Sequence, residues 1–363
     1  MNKIYVLALP MFLFTFSLRL LGENAPAGWV VGWGNNLSGQ ATGISDGTYA
    51  TNMAIVAGRV LTPYSTGLVT IAGQVLTNAV ALSAGLSHSL ALKADGTVVG
   101  WGNNMGGRAV GFETAFPYRT NGMVMVDGRI LNNVSSISAY QYSLALQSNG
   151  AVVAWGRDGS GKTINIPAGF SNALSVVAGV SYSMALKMDG TMATVTSFGM
   201  EIGPLQLSNL VAVGTANKDP VQHNLGLRKD GTVVEWNNRT GLMNTPPGLS
   251  NIVAVATGAS HSLALGKNGT VIAWGSGYGG ETNVPNGLTN VIAIAASKTD
   301  TMLFSGFSLA LKNDGTVIAW GKFGNQQPVN VPVGLSNVVA IAAGADFCLA
   351  ITTNRAVAEK FRH

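Results

Sequence analysis

The chain has few charged residues, a single cysteine and no long uncharged apolar segment. Only 10% of its 363 residues are charged, and its formal net charge is +5. A charge this small, without a run of Lys and Arg among aromatic residues, argues against nucleic-acid binding. Cys348 has no second cysteine to pair with, and its apolar neighbours predict a buried structural residue. The composition therefore excludes an intramolecular disulfide and disfavours a nucleic-acid partner.

Helical periodicity over three turns is also missing, which disfavours a helical repeat protein. A repeated segment is present instead, with a period of roughly 40 to 50 residues. Its copies begin on an apolar residue and end, in all but one case, on a tryptophan: Leu90 to Trp101, Leu144 to Trp155, Met184 to Val195, Leu225 to Trp236, Leu263 to Trp274 and Leu309 to Trp320. Each repeat has three apolar runs, and the polar loop that follows them could supply a fourth strand.

Each copy contains a turn dipeptide between two short apolar runs. The dipeptides are Asp95-Gly96, Asn149-Gly150, Asp189-Gly190, Asp230-Gly231, Asn268-Gly269 and Asp314-Gly315. Asn-Gly and Asp-Gly between strands are typical of two-residue β-hairpin loops, so type I′ turns are predicted here.

A seventh copy is divided between the two ends of the chain. Gly28–Gly34 resembles the second strand of a hairpin without its first, and Phe347–Asn354 resembles a first strand without its second. Pairing of these segments would close a ring and leave no open sheet edge. The prediction is an all-β fold, a seven-bladed β-propeller closed by its N- and C-terminal strands.

Two segments carry a family resemblance. Leu82–Leu92 and Val255–Leu265 are similar to the signature of RCC1 (regulator of chromosome condensation) repeats, with Tyr142, Tyr182 and Phe307 as departures in other copies. The resemblance covers nearly all of the chain after residue 28 and implies a propeller. It does not imply one function, because RCC1-like propellers include exchange factors for a small GTPase, ubiquitin-ligase modules and secreted inhibitors of β-lactamases.

The N-terminus has the order of charge, apolar core and small residues that is typical of a secretory signal peptide. Lys3 precedes the apolar stretch Ile4–Phe16, and Gly22, Ala25 and Ala27 follow it. An uncleaved membrane anchor is the alternative, but Arg19 interrupts the apolar run before the roughly 20 residues that span a bilayer. We expect cleavage between residues 22 and 27 and a single exported propeller domain, residues 28–363, of the bacterial secreted type. Its place would be the periplasm or the extracellular medium, and removal of Lys3, Arg19 and Glu23 lowers the formal charge from +5 to +4.

Motifs that suggest nucleotides or metals have simpler explanations. Gly156–Thr163 satisfies the phosphate-binding P-loop pattern and Gly275, Gly277 and Gly280 resemble a dinucleotide fingerprint, but neither segment is followed by a helix-forming sequence. His88, His223 and His261 occupy one repeat position, where other copies have Tyr or Phe, so packing and hydrogen bonding between strands is predicted for them. No catalytic residues, cofactor or metal site is predicted, and the chain is not expected to be an enzyme.

Two insertions, Gln40 to Asn78 and Asn103 to Asn133, are far longer than the loops of later repeats. Long loops on a rigid scaffold commonly carry binding residues, and Arg and aromatic side chains commonly anchor interfaces. The candidate partner-binding residues are Tyr49, Arg59, Tyr64, Arg108, Phe112, Phe116, Tyr118, Arg119 and Arg129. The alternative is an ordinary elaborated blade, because each insertion contains further strand-like residues.

The favoured hypothesis is an exported, non-catalytic scaffold, expected to be a monomer, that binds a protein or a cell-envelope component through these insertions. One alternative is an inhibitor of an extracellular enzyme, of the β-lactamase-inhibitor kind. A weaker one is an extracellular hydrolase or lyase in which loop carboxylates such as Glu113 and Asp127 converge. Exchange activity on a nuclear GTPase is disfavoured, because an exported protein would not meet that partner.

Overall fold

The computed structural model describes the chain with several gaps. The described residues are 26–43, 54–56, 59–61, 64–114, 119–157, 161, 164–166, 170–179, 182–196, 201–202, 207–218, 221–237, 241–298 and 306–362. Most of the predicted signal peptide lies outside them, as do residues 158–160 and 162–163 of the P-loop-like segment. In the part that is described, no helix is long and apolar enough to cross a membrane.

The described elements are almost entirely β-strands. Those of the first third are β1 Trp29–Asn35, β2 Ala54–Val56, β3 Arg59–Leu61, β4 Tyr64–Leu68, β5 Thr70–Ile71, β6 Gln74–Val75, β7 Ala79–Ala84, β8 His88–Lys93, β9 Val98–Asn103, β10 Arg119–Met123, β11 Met125–Val126 and β12 Arg129–Ile130. Those of the middle are β13 Val134–Ala139, β14 Ser143–Gln147, β15 Val152–Trp155, β16 Ala173–Ala178, β17 Tyr182–Lys187, β18 Met192–Thr196, β19 Glu201–Ile202, β20 Leu210–Lys218, β21 Val221–Arg228, β22 Val233–Asn237 and β23 Gly241–Met243. The last are β24 Ile252–Thr257, β25 His261–Gly266, β26 Val271–Gly275, β27 Val291–Ala296, β28 Gly306–Lys312, β29 Val317–Lys322, β30 Val338–Ala343 and β31 Phe347–Thr352, followed by the short helix α1, Arg355–Glu359.

These strands form seven antiparallel sheets of three or four strands, with three two-stranded hairpins beside them. In order they are sheet 1 (β7–β10), sheet 2 (β13–β15), sheet 3 (β16–β19), sheet 4 (β20–β23), sheet 5 (β24–β26), sheet 6 (β27–β29) and sheet 7 (β30, β31, β1 and β4). The separate hairpins are β2–β3, β5–β6 and β11–β12. The all-β propeller class predicted from the repeats is confirmed.

The two ends of the described chain meet in sheet 7. Strand β1 pairs with β31 from Trp29 opposite Thr352 to Gly34 opposite Phe347. Each sheet contacts the next, and sheet 7 contacts sheet 1. The first strand of every sheet (β7, β13, β16, β20, β24, β27 and β30) contributes residues to one central cavity of about 50 Å³, which has room for little more than water.

The hairpin turns differ from the prediction. In each of the six repeat turns the glycine has positive φ, from 77° to 82°, whereas the preceding Asp or Asn does not. In sheet 1 the Gly96 N–H donates to Lys93 O, so Ala94 and Asp95 form an ordinary turn and Gly96 supplies the left-handed residue that follows it. The type I′ prediction was wrong because the Asp95 carboxylate accepts a hydrogen bond from the Thr97 N–H, which stabilises a right-handed turn residue.

A second left-handed residue recurs just before the first strand of each sheet. It is an asparagine in all seven sheets, with φ between 54° and 60°: Asn78, Asn133, Asn172, Asn209, Asn251, Asn290 and Asn337. Its carbonyl accepts a hydrogen bond from a backbone N–H of the hairpin in the same sheet, for example from Ala94 to Asn78. Asparagine tolerates this conformation better than other side-chain-bearing residues, so these positions fix the entry into each sheet.

Small and branched apolar residues fill the spaces between the sheets, in seven clusters. The largest joins sheets 6 and 7 with Val357, Ala358 and Phe361 near the C-terminus. Cys348 is fully buried in that cluster, as predicted, and burial raises the pKa of its thiol well above the usual value. A thiol in this state is a packing residue and not a nucleophile.

Candidate functional site

The interfaces between neighbouring sheets contain a repeated polar contact. His88 of sheet 1 is completely buried, and its Nε2 lies 2.9 Å from the Ser143 hydroxyl of sheet 2. That hydroxyl donates its one hydrogen to the Arg108 carbonyl at 2.8 Å, so Nε2 must be the donor to Ser143. Nδ1 then carries the lone pair, and it lies against Gly85, where an added Cβ would come within 2.9 Å.

His88 is held neutral in this site. Burial lowers its pKa well below the usual value, and the charges of Arg108 and Lys298 lower it further. His261 makes the equivalent contact to Ser308 at 3.0 Å, and Ser308 donates to the Glu281 carbonyl. The predicted hydrogen-bonding role between strands is confirmed for both histidines, while the side chain of His223 lies outside the described residues. In the described part of the chain, no three His, Cys, Asp or Glu side chains are grouped to hold a metal.

Other sheets use different side chains at the same position. Tyr142 contacts the Ser183 hydroxyl at 2.6 Å, and Tyr182 donates to the Asn224 amide oxygen at 2.6 Å. Phe307 and Phe347 occupy the position in the last two sheets, where an aromatic ring without a hydrogen-bonding group packs in the core. Cys348 stands in sheet 7 where the other sheets have the Ser or Asn that would accept such a bond. The contact between sheets is therefore structural, and histidine, tyrosine or phenylalanine can occupy this position.

Tryptophans form a second contact between sheets. The indole N–H of Trp101 donates to the Gln40 carbonyl at 2.9 Å, and that of Trp320 donates to the Glu281 carbonyl at 2.8 Å. Trp274 differs, because its indole donates to the Glu235 carboxylate at 3.0 Å. Glu235 is buried, and burial raises the pKa of its carboxyl although the bond from Trp274 opposes the rise.

Glu235 was not singled out from the sequence, although a signal for it exists. At the equivalent place in the third strand, sheet 3 has Thr194 and the remaining copies have a glycine or alanine: Gly32, Gly100, Ala154, Ala273 and Ala319. An added Cβ at Gly32 or Gly100 would overlap a carbonyl of the following loop, at 1.9 Å in both cases. In sheet 4 only residues 238–240 separate β22 from the fourth strand β23, so the long loop that approaches Gly32 and Gly100 in sheets 7 and 1 has no counterpart of that length beside Glu235.

Lys298 extends across one end of the central cavity. It follows β27, its backbone N–H donates to Gly344 O, and its ammonium donates to Ala139 O of sheet 2 at 2.7 Å. The ammonium also lies 5.6 Å from the centre of the Tyr140 ring. Burial lowers the pKa of Lys298 to about 8. Lys298 thus connects sheet 6 with sheet 2, and residues 299–305, which follow it, lie outside the described part.

The two long insertions contain the same structural unit. Gly67–Asn78 and Gly122–Asn133 each supply the end of a fourth strand, a short hairpin and the left-handed asparagine. The Val69 N–H donates to Val30 O and the Val124 N–H to Val98 O, both at 2.9 Å, which attaches each unit to the third strand of its sheet. Strands β4 and β10 therefore complete sheets 7 and 1, as the alternative of elaborated blades expects.

These two units are joined to each other. The amide of Asn121, on β10, accepts from the Ala72 N–H at 3.0 Å and donates to Gly43 O at 2.7 Å. The Met125 N–H donates to Val110 O at 2.9 Å, which places the loop carrying Phe112 beside hairpin β11–β12. The described parts of the insertions, residues 64–78, 105–114 and 119–130, therefore form one surface across sheets 7 and 1, called the insertion surface below.

The structure describes the side chains of three predicted binding residues. Phe112 is 50% exposed and Arg129 is exposed, both on the insertion surface. Arg108 is half-buried: its Nε donates to Met105 O at 2.9 Å, and burial lowers its pKa. The remaining residues have an undescribed side chain (Arg59, Tyr64 and Arg119) or lie outside the described residues altogether (Tyr49, Phe116 and Tyr118). Glu113, proposed for the hydrolase alternative, lies 3.5 Å from Arg157 in an exposed ion pair.

Comparison with known proteins points to one repeat type. A model of the regulator of chromosome condensation (RCC1) repeat matches residues 79–106 and 252–281. No curated protein sequence matches the chain.

Solved structures of similar fold include Prp20p from Saccharomyces cerevisiae, with 16% identity, a TM-score of 0.68 and coverage of 95% of both chains. Yeast RCC1 (Prp20) bound to Kap60 gives 16% identity and a TM-score of 0.66 over 97% of this chain and 92% of that one. Human WBSCR16 gives 18% identity and a TM-score of 0.62 over 89% and 99%. At these identities the likeness establishes the fold.

Proposed function

We propose that the chain is an RCC1-like repeat protein, and that it is an exported, non-catalytic, seven-bladed β-propeller that binds a protein or a cell-envelope component. The seven sheets would be the blades, and the pairing of β1 with β31 would close the ring. One structural relative, Prp20p, has binding properties to Gsp1p and histones, which are properties of that protein. A protein-binding role is consistent with such a scaffold. We expect the partner of this chain to differ from Gsp1p and histones.

The observation that carries the proposal is the insertion surface. Neither long loop is needed to close a sheet, since sheets 2, 5 and 6 have three described strands each. The two insertions are nevertheless bonded together through Asn121 and present Phe112 and Arg129 to solvent. A surface that presents an aromatic and a guanidinium side chain is typical of protein interfaces.

A capture experiment tests this proposal. Immobilised residues 28–363 are exposed to native culture supernatant and envelope extract, and retained components are identified by mass spectrometry. The double variant Phe112→Ala with Arg129→Glu should retain at least about tenfold less of the specific component than the parent protein does, because central aromatic and Arg residues dominate interface energetics. The control variant, Tyr278→Ala with Val333→Ser, changes two side chains that are 75% and 97% exposed elsewhere and should retain it.

Equal recovery by all three proteins would exclude the insertion surface as the binding site. If the captured component is an enzyme, stoichiometric loss of its activity on mixing would identify the chain as an inhibitor. Turnover of an envelope polymer by the purified protein would contradict the non-catalytic proposal.

A further inference from the structure

Sheet 5 has an open outer edge. Sheets 1, 3, 4 and 7 have a fourth strand, whereas no described strand pairs with the outer side of β26, and residues 241–298 around it are all described. Strands covered by a fourth strand, such as β9 and β22, are almost entirely buried, but β26 is half-exposed along its length. Sheet 6 also has three strands, yet its edge is bridged between Lys322 and Pro328.

The edge of β26 lacks the usual protection against strand addition. Its sequence, Val271–Gly275, contains no charged residue and no proline. In sheet 1 the carbonyl of Val98 points outward and accepts from Val124. Val271 holds the same register position, opposite Leu265 as Val98 is opposite Leu92. The backbone groups of Val271 and Ala273 therefore point outward, because alternate residues of a strand bond to the same side.

An open cavity of about 570 Å³ lies on one face of sheet 5 beside the β25–β26 turn, and it reaches from Ile252 of β24 to Ile272 near the start of β26. Its lining includes Ser250, Asn251, Lys267, Asn268, Thr270 and Ile272. The Asn268 side-chain oxygen accepts from the Thr270 N–H and hydroxyl, which leaves its NH₂ group as the donor. No carboxylate lines the cavity, so its lining favours an anionic or acceptor-rich group.

This cavity results from a departure of sheet 5 from the repeat. Gly266 occupies the position that holds a long side chain in most sheets: Lys93, Gln147, Lys187, Arg228 and Lys312. In sheets 1 and 6 that lysine pairs with the turn aspartate, at 3.2 Å for Lys93–Asp95 and 3.1 Å for Lys312–Asp314. Sheet 5 has neither partner of this ion pair, because Gly266 stands in place of the lysine and Asn268 in place of the aspartate.

We propose that the outer edge of β26 binds an extended peptide as a fourth strand, with a carboxylate at the C-terminal end of the peptide in the cavity beside Lys267. The orientation follows from the fold, because all four fourth strands run antiparallel to the third. Strand β26 runs away from the Lys267 turn, so an antiparallel peptide ends there. Main-chain bonds supply affinity in this mode of recognition, and the cavity adds charge complementarity.

The test uses a defined peptide probe, acetyl-Thr-Val-Thr-Val-Thr-Val-Asp with a free C-terminus, and the ¹⁵N-labelled mature protein. Amide chemical shifts are expected to change at Val271–Gly275 and at Lys267 and Asn268. Affinity is measured by fluorescence polarisation of the labelled peptide. A matched peptide with Asn in place of Asp and an amidated C-terminus should bind at least about tenfold more weakly, because charge-assisted bonds are lost.

Two protein variants test separately the main-chain pairing at the edge of β26 and the charge interaction in the cavity. Ala273→Pro removes an outward N–H without removing a bond to β25, and the pair Gly266→Lys with Asn268→Asp restores the ion pair of the neighbouring sheets. Each should weaken binding by at least about tenfold while circular dichroism stays unchanged. The control pair Lys312→Gly with Asp314→Asn alters sheet 6, whose edge is already bridged, and should bind like the parent. Absence of peptide binding, shifts confined to another sheet, or affinity unaffected by both variants would overturn the proposal.

Discussion

At the scale of single residues, one position holds the sheets together by several chemistries. His88, Tyr142, Tyr182 and His261 each reach a polar side chain in the following sheet. The position was recognisable from the sequence because it recurs, and its variation among His, Tyr and Phe argued against metal binding. The identity of the partner was not recognisable, because Ser143 lies 55 residues from His88 and the two meet only when sheets pack.

His88 makes the stability of the fold sensitive to acid. Its pKa is lowered in the folded protein and returns to about 6.5 in the unfolded chain, so the unfolded state binds the proton more tightly. Stability is therefore fully present above pH 6.5 and falls as the pH drops below it, by at most about 1.4 kcal/mol per pH unit.

The variant His88→Tyr places there the side chain that sheets 2 and 3 use, and should lack this contribution. Urea denaturation at pH 7 and pH 5 measures it as a smaller loss of stability in the variant than in the parent. An equal loss in both proteins would mean that His88 is not the responsible group.

Glu235 gives the opposite pH dependence. Burial raises the pKa of its carboxyl above 4.5, so its contribution to stability is present below pH 4.5 and is lost as the pH rises through the folded-state pKa. The variant Glu235→Gln keeps an oxygen for the Trp274 indole without a buried charge. We expect it to raise the free energy of unfolding at pH 7 and to have a smaller effect near pH 4, where the Glu235 carboxyl is neutral in the folded protein.

Tryptophan fluorescence during urea unfolding is the measurement, and the exposed Glu113→Gln is the control. A Glu235→Gln protein less stable than the parent at pH 7 would show that the ionised pair stabilises the fold.

At the scale of elements, the hairpins show which properties of a turn the local sequence predicts and which it does not. The six turns were located correctly from their dipeptides, but their type was not. True type I′ geometry occurs in the insertions, at Ala72-Gly73 and Asp127-Gly128, where both residues have positive φ. The first residue of the Ala72-Gly73 turn is an alanine, which does not favour positive φ. A hydrogen bond from the Ala72 N–H to the Asn121 side chain of sheet 1 stabilises this conformation.

Ala72 is therefore a strained position in hairpin β5–β6. Its φ of 48° is unfavourable for alanine, whereas the equivalent residue in the second insertion is Asp127. The variant Ala72→Asn should stabilise the protein by about 0.5–1 kcal/mol, measured by chemical denaturation. Ala94→Asn, in an exposed turn without positive φ, is the matched control and should change little; a gain at both sites would indicate a general effect of asparagine.

At the scale of the whole molecule, the ends of the chain depend on each other. Strand β1 lies between β31 and β4, and Phe361 O accepts from the Leu68 N–H. A chain ending at Gly344 would remove β31, one of the two neighbours of β1, and expose Val30 and Val31, which are fully buried. We expect this truncation to abolish cooperative thermal unfolding and to promote aggregation.

A chain ending at Asn354 keeps β31 and is the control. It should unfold cooperatively at a lower Tm, because Val357, Ala358 and Phe361 are lost from the core. Cooperative unfolding of the shorter chain near the parent Tm would mean that the paired ends are dispensable.

The sequence by itself determined the repeat, the strand type and the position of the turns, because strand alternation and turn dipeptides are local properties. It also located the two insertions, which stand out by length alone. Only the tertiary structure decided what these parts do: that Glu235 replaces a carbonyl for Trp274, that Asn121 joins the two insertions, and that Gly266 opens a cavity beside an unpaired edge. Each of these depends on contacts between sheets whose residues are distant in sequence, and packing rather than local preference fixes which groups meet.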